Sequence, residues 1–401
     1  MRPVYFDNNA TTRTDPAVVE AMLPFFTEHF GNASSTHAFG ERVGEAVKAA
    51  RKQLQALLGA AFDHEIVFTS GGTEADNAAI LSALETQEGR DEVVTTTVEH
   101  PAVLTLLAHL EKTRGLKVHL VGVDGRGRLD MDAFTAALSP RTALVTVMWA
   151  NNETGTLFPV DHLAQLAHEA GALFHTDAVQ AVGKVAIDLK ATAIDMLSLS
   201  GHKLHGPKGI GALYVRKGVK FRPLVRGGHQ ERGRRGGTEN VPAIIGLGAA
   251  AELAQAHMAD ELTRVKALRD RLEQGILQQI SHTLVNGDSD NRLPNTANIA
   301  FEYLDGEAVL TNLNRAGIAA STGSACTSGS TEPSHVLKAM NLPVTALHGA
   351  VRLSLSRENS GEDVDRALAV LPEIIDRLRA MSPAWLARSG GQGAQGVPDH
   401  V

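Results

Sequence analysis

Three observations predict an α/β fold with a mostly parallel sheet in a large domain and a smaller α+β domain beside it. Short β-rich runs alternate with longer stretches of helical periodicity over the first 255 or so residues. Beyond that point one long helical pattern takes over and the strands become sparse. The strand-like runs of the first region also end, one after another, in polar or ionisable residues, as strands do at the ligand-facing edge of an open α/β sheet.

The candidate strands, in order, cover residues 65–69, 92–97, 142–149, 172–176, 196–199 and 210–215. Several are near-continuous apolar runs such as Ile66-Val67-Phe68 and Ala143-Leu144-Val145, the pattern of strands covered on both faces. Between them, residues 41–58, 74–85, 101–114 and 161–170 place apolar side chains at helical spacing. A long helical pattern over 249–280 leads to a strand near 298–302, a helix near 307–316 and a strand near 351–354. The expected division is a large domain over 15–258 and a small one made of 1–14 with 259–388. The Gly-rich tail 389–401 is expected to be disordered.

The 401 residues are 43% hydrophobic and 21% charged, the balance of an ordinary globular protein with a sizeable core. A net charge of −7 argues against a dedicated nucleic-acid binder. The N-terminus lacks a basic-then-apolar signal pattern, and no uncharged apolar run is long enough to span a bilayer, so a cytoplasmic location is expected. The single cysteine, Cys326, rules out an intrachain disulfide and a paired-thiolate zinc site. It lies in Ser324-Ala325-Cys326-Thr327-Ser328-Gly329-Ser330, a run of small residues. An accessible loop of this kind suits a reactive thiolate better than a packed apolar side chain, although loop composition alone does not establish reactivity.

The strand ends carry the chemistry. Ser70-Gly71-Gly72-Thr73 is a glycine turn opening a helix, with Thr73 and Asp76 at capping-box spacing, and such a helix start offers free N–H groups to a phosphate. Further ends carry Glu99-His100-Pro101, Asn151-Asn152, Asp177 with Gln180, and Ser200-Gly201-His202-Lys203. Each has an ordinary explanation as a turn former, helix entry or surface group. Together they are the parts that hold pyridoxal 5'-phosphate: a lysine to bond it, a carboxylate for its pyridine nitrogen and a helix start for its phosphate.

On these segments the chain resembles the cysteine desulfurases of the class V aminotransferase family, and among them the nitrogenase-associated NifS group. Asp7-Asn8-Asn9-Ala10-Thr11-Thr12, Asn151-Asn152-Glu153-Thr154-Gly155, His175-Thr176-Asp177-Ala178-Val179-Gln180, Ser200-Gly201-His202-Lys203 and the Cys326 loop carry the resemblance. It implies a fold type I pyridoxal-phosphate enzyme with a seven-stranded-type sheet. It also implies conversion of L-cysteine to L-alanine with sulfur passing to Cys326 as a persulfide. By the same resemblance Lys203 bonds the cofactor, Asp177 pairs with its ring nitrogen, Gln180 binds its ring hydroxyl, and His100 stacks on the ring and moves protons. Gly72, Thr73, Ser200 and His202 hold the phosphate, Thr238 reaches the cofactor of the second subunit of a homodimer, and Asn152 and Arg352 bind the substrate carboxylate. The implied sulfur acceptor is an iron–sulfur scaffold protein, and Cys326 is the candidate metal ligand, through its persulfide to a shared 2Fe–2S cluster. Housekeeping cluster assembly, a selenocysteine lyase or another enzyme of the class, and a silent sulfur carrier are the alternatives. The Gly71-Gly72 pair stands where relatives often carry Cys or Ala.

Three other signals are read as structural. The arginines of 226–235 are interleaved with glycine in an acidic chain, which favours structural and cofactor-edge roles over nucleic acid. Of seventeen histidines only His202 and His205 are closely spaced, around the lysine that reads better as a cofactor anchor. Gly206-Pro207-Lys208-Gly209-Ile210-Gly211 precedes a strand instead of following one and is not a nucleotide loop.

Overall fold

The computed structural model describes residues 2–322 and 332–390. In chain order its strands are β1 (Val4–Tyr5), β2 (Ile66–Thr69), β3 (Glu92–Thr96), β4 (Lys117–Val121), β5 (Thr142–Thr146), β6 (Leu173–Asp177), β7 (Met196–Ser200), β8 (Gly211–Val215), β9 (Thr283–Val285), β10 (Thr296–Phe301), β11 (Ile318–Ala319) and β12 (Ala350–Ser354). Seven of them form the central sheet in the order β2-β8-β7-β6-β5-β3-β4. Only β8 runs against its neighbours, so the five consecutive strands from β7 to β4 are parallel.

Both faces of this sheet are covered, which is why its inner strands read as unbroken apolar runs. On one face Val67, Leu144 and Leu213 pack against Ala75, Ile80, Val103 and Leu107 of the helices Gly72–Thr86 and Pro101–Arg114. On the other, Ile66, Val145 and Leu197 join Leu54, Leu163 and Leu247 from the helices Ala38–Leu58, Val160–Glu169 and Val241–Asp260. The first and last of these approach closely, because a Cβ on Gly248 would sit 2.7 Å from the Ala50 Cα. The edge strand β4 is absent from the sequence reading. It is half exposed, and Lys117 and His119 lean back onto Glu92 of β3 at 3.3 and 3.0 Å. Lys117 and His119 interrupt the apolar residues of β4, so it carries no unbroken apolar run, and charge on an edge also discourages pairing with other chains.

The long helical pattern begins eight residues earlier than the sequence suggests. Val241–Asp260 passes through a π turn, Glu261–Val265, into Lys266–Gln279. It leads to a three-stranded antiparallel sheet with β10 between β9 and β12. There Ile299 and Leu353 pack with Leu272, Leu313 and Leu371 of the helices Lys266–Gln279, Gly306–Arg315 and Gly361–Met381. The last is a 21-residue helix that the sequence reading omits, although Ser360 and Asp363 form a capping box at its start. Val4 and Phe6 belong to this second core, and β1 pairs in parallel with β11. The helix Pro383–Gly390 runs into the expected tail, with Trp385 clasped between the guanidinium groups of Arg379 and Arg388, each 4.4 Å from its ring. Residues 391–401 of that tail lie outside the described residues.

Three of the four arginines in the Arg226–Arg235 run are tied down. Arg226 pairs with Glu85, Arg234 donates to the His64 carbonyl, and Arg235 pairs with Glu74 at 3.0 Å. Glu231, buried and at φ 47°, receives both Nη atoms of Arg51 at 2.7 Å.

Candidate active site

The carboxyl ends of β2, β3, β5, β6 and β7 open onto a cavity of about 300 Å³. Ten of the residues singled out from sequence line it: Gly72, Thr73, His100, Asn152, Asp177, Gln180, Ser200, His202, Lys203 and Arg352. Nine come from the strand ends; Arg352 arrives from β12 of the second core.

Lys203 sits in a single turn after β7, and its Nζ donates to the main-chain carbonyls of Asn9 and, at 2.7 Å, Ala10. Burial, with the nearby charges of Arg352 and Lys184, brings its pKa down to about 7. A free amine is therefore accessible near neutrality, as a nucleophile or proton acceptor must be. Asp177 closes β6 and accepts the Val179 N–H at 2.9 Å. Burial raises its pKa, with His100 and Lys203 pulling the other way, so its charged form needs a cationic partner in the cavity. His100 caps the helix Pro101–Arg114, its Nδ1 accepting the Ala102 N–H at 3.1 Å. Burial lowers its pKa despite the Asp177 charge and favours the neutral imidazole. His202 is pushed down to about 4, mainly by burial, and holds its Nδ1 3.2 Å from Thr11 Oγ1.

The glycine turn after β2 departs from one expectation. The helix Gly72–Thr86 has Gly71 as its N-cap with no side-chain cap, so Thr73 lies in the first turn and forms no capping box with Asp76. Glu74 instead reaches back to the Ser70 N–H at 2.8 Å. Thr73 is left exposed to the cavity, and the first N–H groups of the helix have no partner within it. A Cβ on Gly72 would lie 2.8 Å from Val179 Cγ2, so that methyl would have to move to admit a side chain there. Asp76 is buried, lines the cavity and lies 3.6 Å from His175 Nε2.

Arg352, 1% exposed, bonds Asp7 at 2.8 Å through Nη2 and the Asn152 carbonyl at 2.9 Å through Nη1. The guanidinium is thus already oriented at the cavity wall by two acceptors. Thr238 is exposed and does not line the cavity. Cys326 lies outside the described residues. The contributions that sequence reasoning missed are the carbonyls of Asn9 and Ala10, the carboxyl of Asp76, and the walls Met148, Ala150 and Val179.

The donor set fits pyridoxal 5'-phosphate. Gln180 donates through Nε2 to the Asn9 carbonyl at 2.9 Å, while its buried Oε1 has no partner and can accept from a ring hydroxyl. A protonated pyridine nitrogen is the cation that Asp177 lacks, and the helix start beside Ser200 and His202 suits a phosphate. Among the described residues no cluster of three His, Cys, Asp or Glu side chains could hold a metal ion, and no helix is long and apolar enough to cross a membrane.

Comparison with known proteins places the chain among relatives of one kind. The family model described as aminotransferase class-V matches residues 4–367. A protein named cysteine desulfurase from Gluconacetobacter diazotrophicus is 72% identical over 96% of each chain. Cysteine desulfurase NifS of Azotobacter vinelandii is 62% identical, again over 96% of each. A solved structure of a NifS-like protein superposes with a TM-score of 0.87 at 37% identity, covering 94% of this chain and all of the other. Another, of SspA in complex with cysteine, gives 0.78 at 37% identity over 88% of this chain and 98% of its own. The chain belongs to the aminotransferase class-V family.

Proposed function

We propose that this protein is a pyridoxal-phosphate-dependent cysteine desulfurase, releasing L-alanine from L-cysteine and passing the sulfur on through Cys326. The observation that carries this reading is the convergence of Lys203, Asp177, His100, Gln180 and the Gly72 helix start on one cavity. The names of the relatives, at 72% and 62% identity, support the substrate.

The cofactor, when bound, withdraws electrons from the substrate's α-carbon. The protein's own residues do the rest. Lys203, with its pKa near 7, would hold the cofactor and supplies the amine that takes the substrate's α-proton. Neutral His100 beside Asp177 and Lys203 passes protons between substrate and cavity. Arg352, with the Asn152 side chain, receives the substrate carboxylate. The Cys326 thiolate attacks the substrate sulfur. A sulfur–sulfur bond forms, the carbon–sulfur bond breaks with its electron pair going to carbon, and that carbon takes a proton to become the methyl group of alanine.

The sulfur acceptor in this reading is an iron–sulfur scaffold protein, with nitrogenase cluster assembly as the destination, in the cytoplasm. The active unit is a homodimer in which Thr238 reaches the partner's cofactor phosphate. An exposed apolar patch supports the dimer: Phe26, Phe30 and Phe39 are 60% or more exposed, and the rings of the last two lie 5.6 Å apart.

Purified protein supplied with the cofactor should show a visible absorbance band that Lys203→Ala abolishes. Cys326→Ser should keep the band and bind cysteine yet form no alanine. A wild-type protein without the band, or a Cys326→Ser variant that forms alanine at the wild-type rate, refutes the reading.

A further inference from the structure

Lys184 is a buried lysine, 6% exposed, to which nothing above assigns a role. It lies four residues beyond Gln180 in the turns after β6, and its Nζ donates to the Gln180 carbonyl at 3.1 Å. The Gln180 side chain donates to the Asn9 carbonyl at 2.9 Å, and that same carbonyl accepts from Lys203 Nζ. Two buried lysines are thus joined through one residue and one carbonyl. Behind Lys203 they also share a second cavity, of about 20 Å³, enough for one water.

We propose that Lys184 is a positioning residue whose buried charge, across the small shared cavity from Lys203, keeps the Lys203 amine in its nucleophilic form. This rests on the reading of Lys203 as the lysine that bonds the cofactor. The physical ground is that a second cation in a desolvated site penalises the protonated form of its neighbour.

The surrounding charges decide whether Lys184 can act. On the side of Lys203, Arg352 lowers its pKa alongside Lys184 even though it pairs with Asp7 at 2.8 Å, and Asp177 and Asp7 favour the protonated lysine. His100 and His202 are held towards the neutral state by burial. On the side of Lys184, Arg357 is paired with Asp15 at 2.6 Å, and burial keeps His205 neutral down to about 4. His257 lines the same small cavity. The carboxylate facing Lys184 is Glu261, in the π turn, buried and with an oxygen that has no hydrogen-bond partner. Burial brings Lys184 itself down to about 8, so it carries its charge at neutral pH.

The test is spectroscopic and needs no turnover. Cofactor-free protein is mixed with pyridoxal 5'-phosphate across a pH series, and the rate at which the visible band appears is recorded. Its midpoint reports the amine fraction of Lys203. Lys184→Met should move the midpoint to higher pH by about one unit, a tenfold loss of free amine below it. Lys184→Arg, which keeps the charge, should stay near wild type. Glu261→Gln, which removes the carboxylate that helps keep Lys184 charged, should move the midpoint to higher pH, in the direction of Lys184→Met. A Lys184→Met profile that overlays wild type, or a Lys184→Arg profile that follows Lys184→Met, overturns the proposal. If Lys184→Met does not fold, the Glu261→Gln comparison decides alone: a rise in the midpoint supports the proposal, and no change or a fall overturns it. Absence of the band from wild type would instead refute the reading of Lys203 itself.

Discussion

Removing Arg51 should destabilise the protein out of proportion to the atoms lost. Its guanidinium binds Glu231 through two nitrogens at 2.7 Å, donates to the Ile66 carbonyl at 2.7 Å and lies 4.6 Å from the centre of the Phe68 ring. The side chains are only 12% and 3% exposed. Arg51→Met strands the Glu231 carboxylate in a dry setting, where its remaining donor is the Phe68 N–H at 3.0 Å. Breaking one partner of such a pair costs about 3–5 kcal/mol. With an unfolding entropy of about 2.1 cal/mol/K per residue, a chain of 401 residues responds by about 4–6 °C in Tm. Differential scanning at fixed protein and cofactor concentrations measures this. The diagnostic is the double variant Arg51→Met with Glu231→Gln, which removes the stranded charge and should recover at least half of the loss. A single-variant shift below about 1 °C, or a double variant no better than the single, would refute the argument that a stranded charge is the cause.

Two further outcomes follow from the site. Gly72→Ala should fold but bind pyridoxal 5'-phosphate at least about tenfold more weakly, read by fluorescence titration, because its Cβ meets Val179 Cγ2 at 2.8 Å where the phosphate turn begins. Wild-type affinity in that variant would show that the turn yields. Glu99, buried beneath Met148, has its pKa raised by burial to about 8, so the folded state holds its proton more tightly than the unfolded chain does. The stability linked to that proton is complete below the ordinary value of 4.5 and is lost as pH rises through about 8. Glu99→Gln should abolish that loss, so that wild type falls behind the variant in Tm across this range; parallel pH profiles for the two would contradict it.

The sheet was legible wherever strands were buried on both faces, since Ile66–Thr69 and Thr142–Thr146 announce themselves as apolar runs. β4 was not, because an edge strand with Lys117 and His119 half in water shows no such run. The side chains of the site were readable for a related reason. A parallel sheet gathers its carboxyl ends, so Asp177, His100 and Lys203 can be grouped from the sequence alone. The carbonyls of Asn9 and Ala10 could not be singled out in the same way, because every residue has a carbonyl and only the tertiary fold chooses which one meets Lys203. Asp76 was misread because its spacing from Thr73 satisfies a capping rule that Glu74 and Gly71 pre-empt.

Lys203 leans on carbonyls from the first ten residues, while those residues are themselves held by the far end of the chain. Asn8 and Asn9 donate their N–H groups to Ser354, and Asp7 pairs with Arg352. A chain cut short before β12 would leave Asp7, Asn8 and Asn9 without these partners, so that part of the wall that orients Lys203 would rest on Gln180 and the His202 turn.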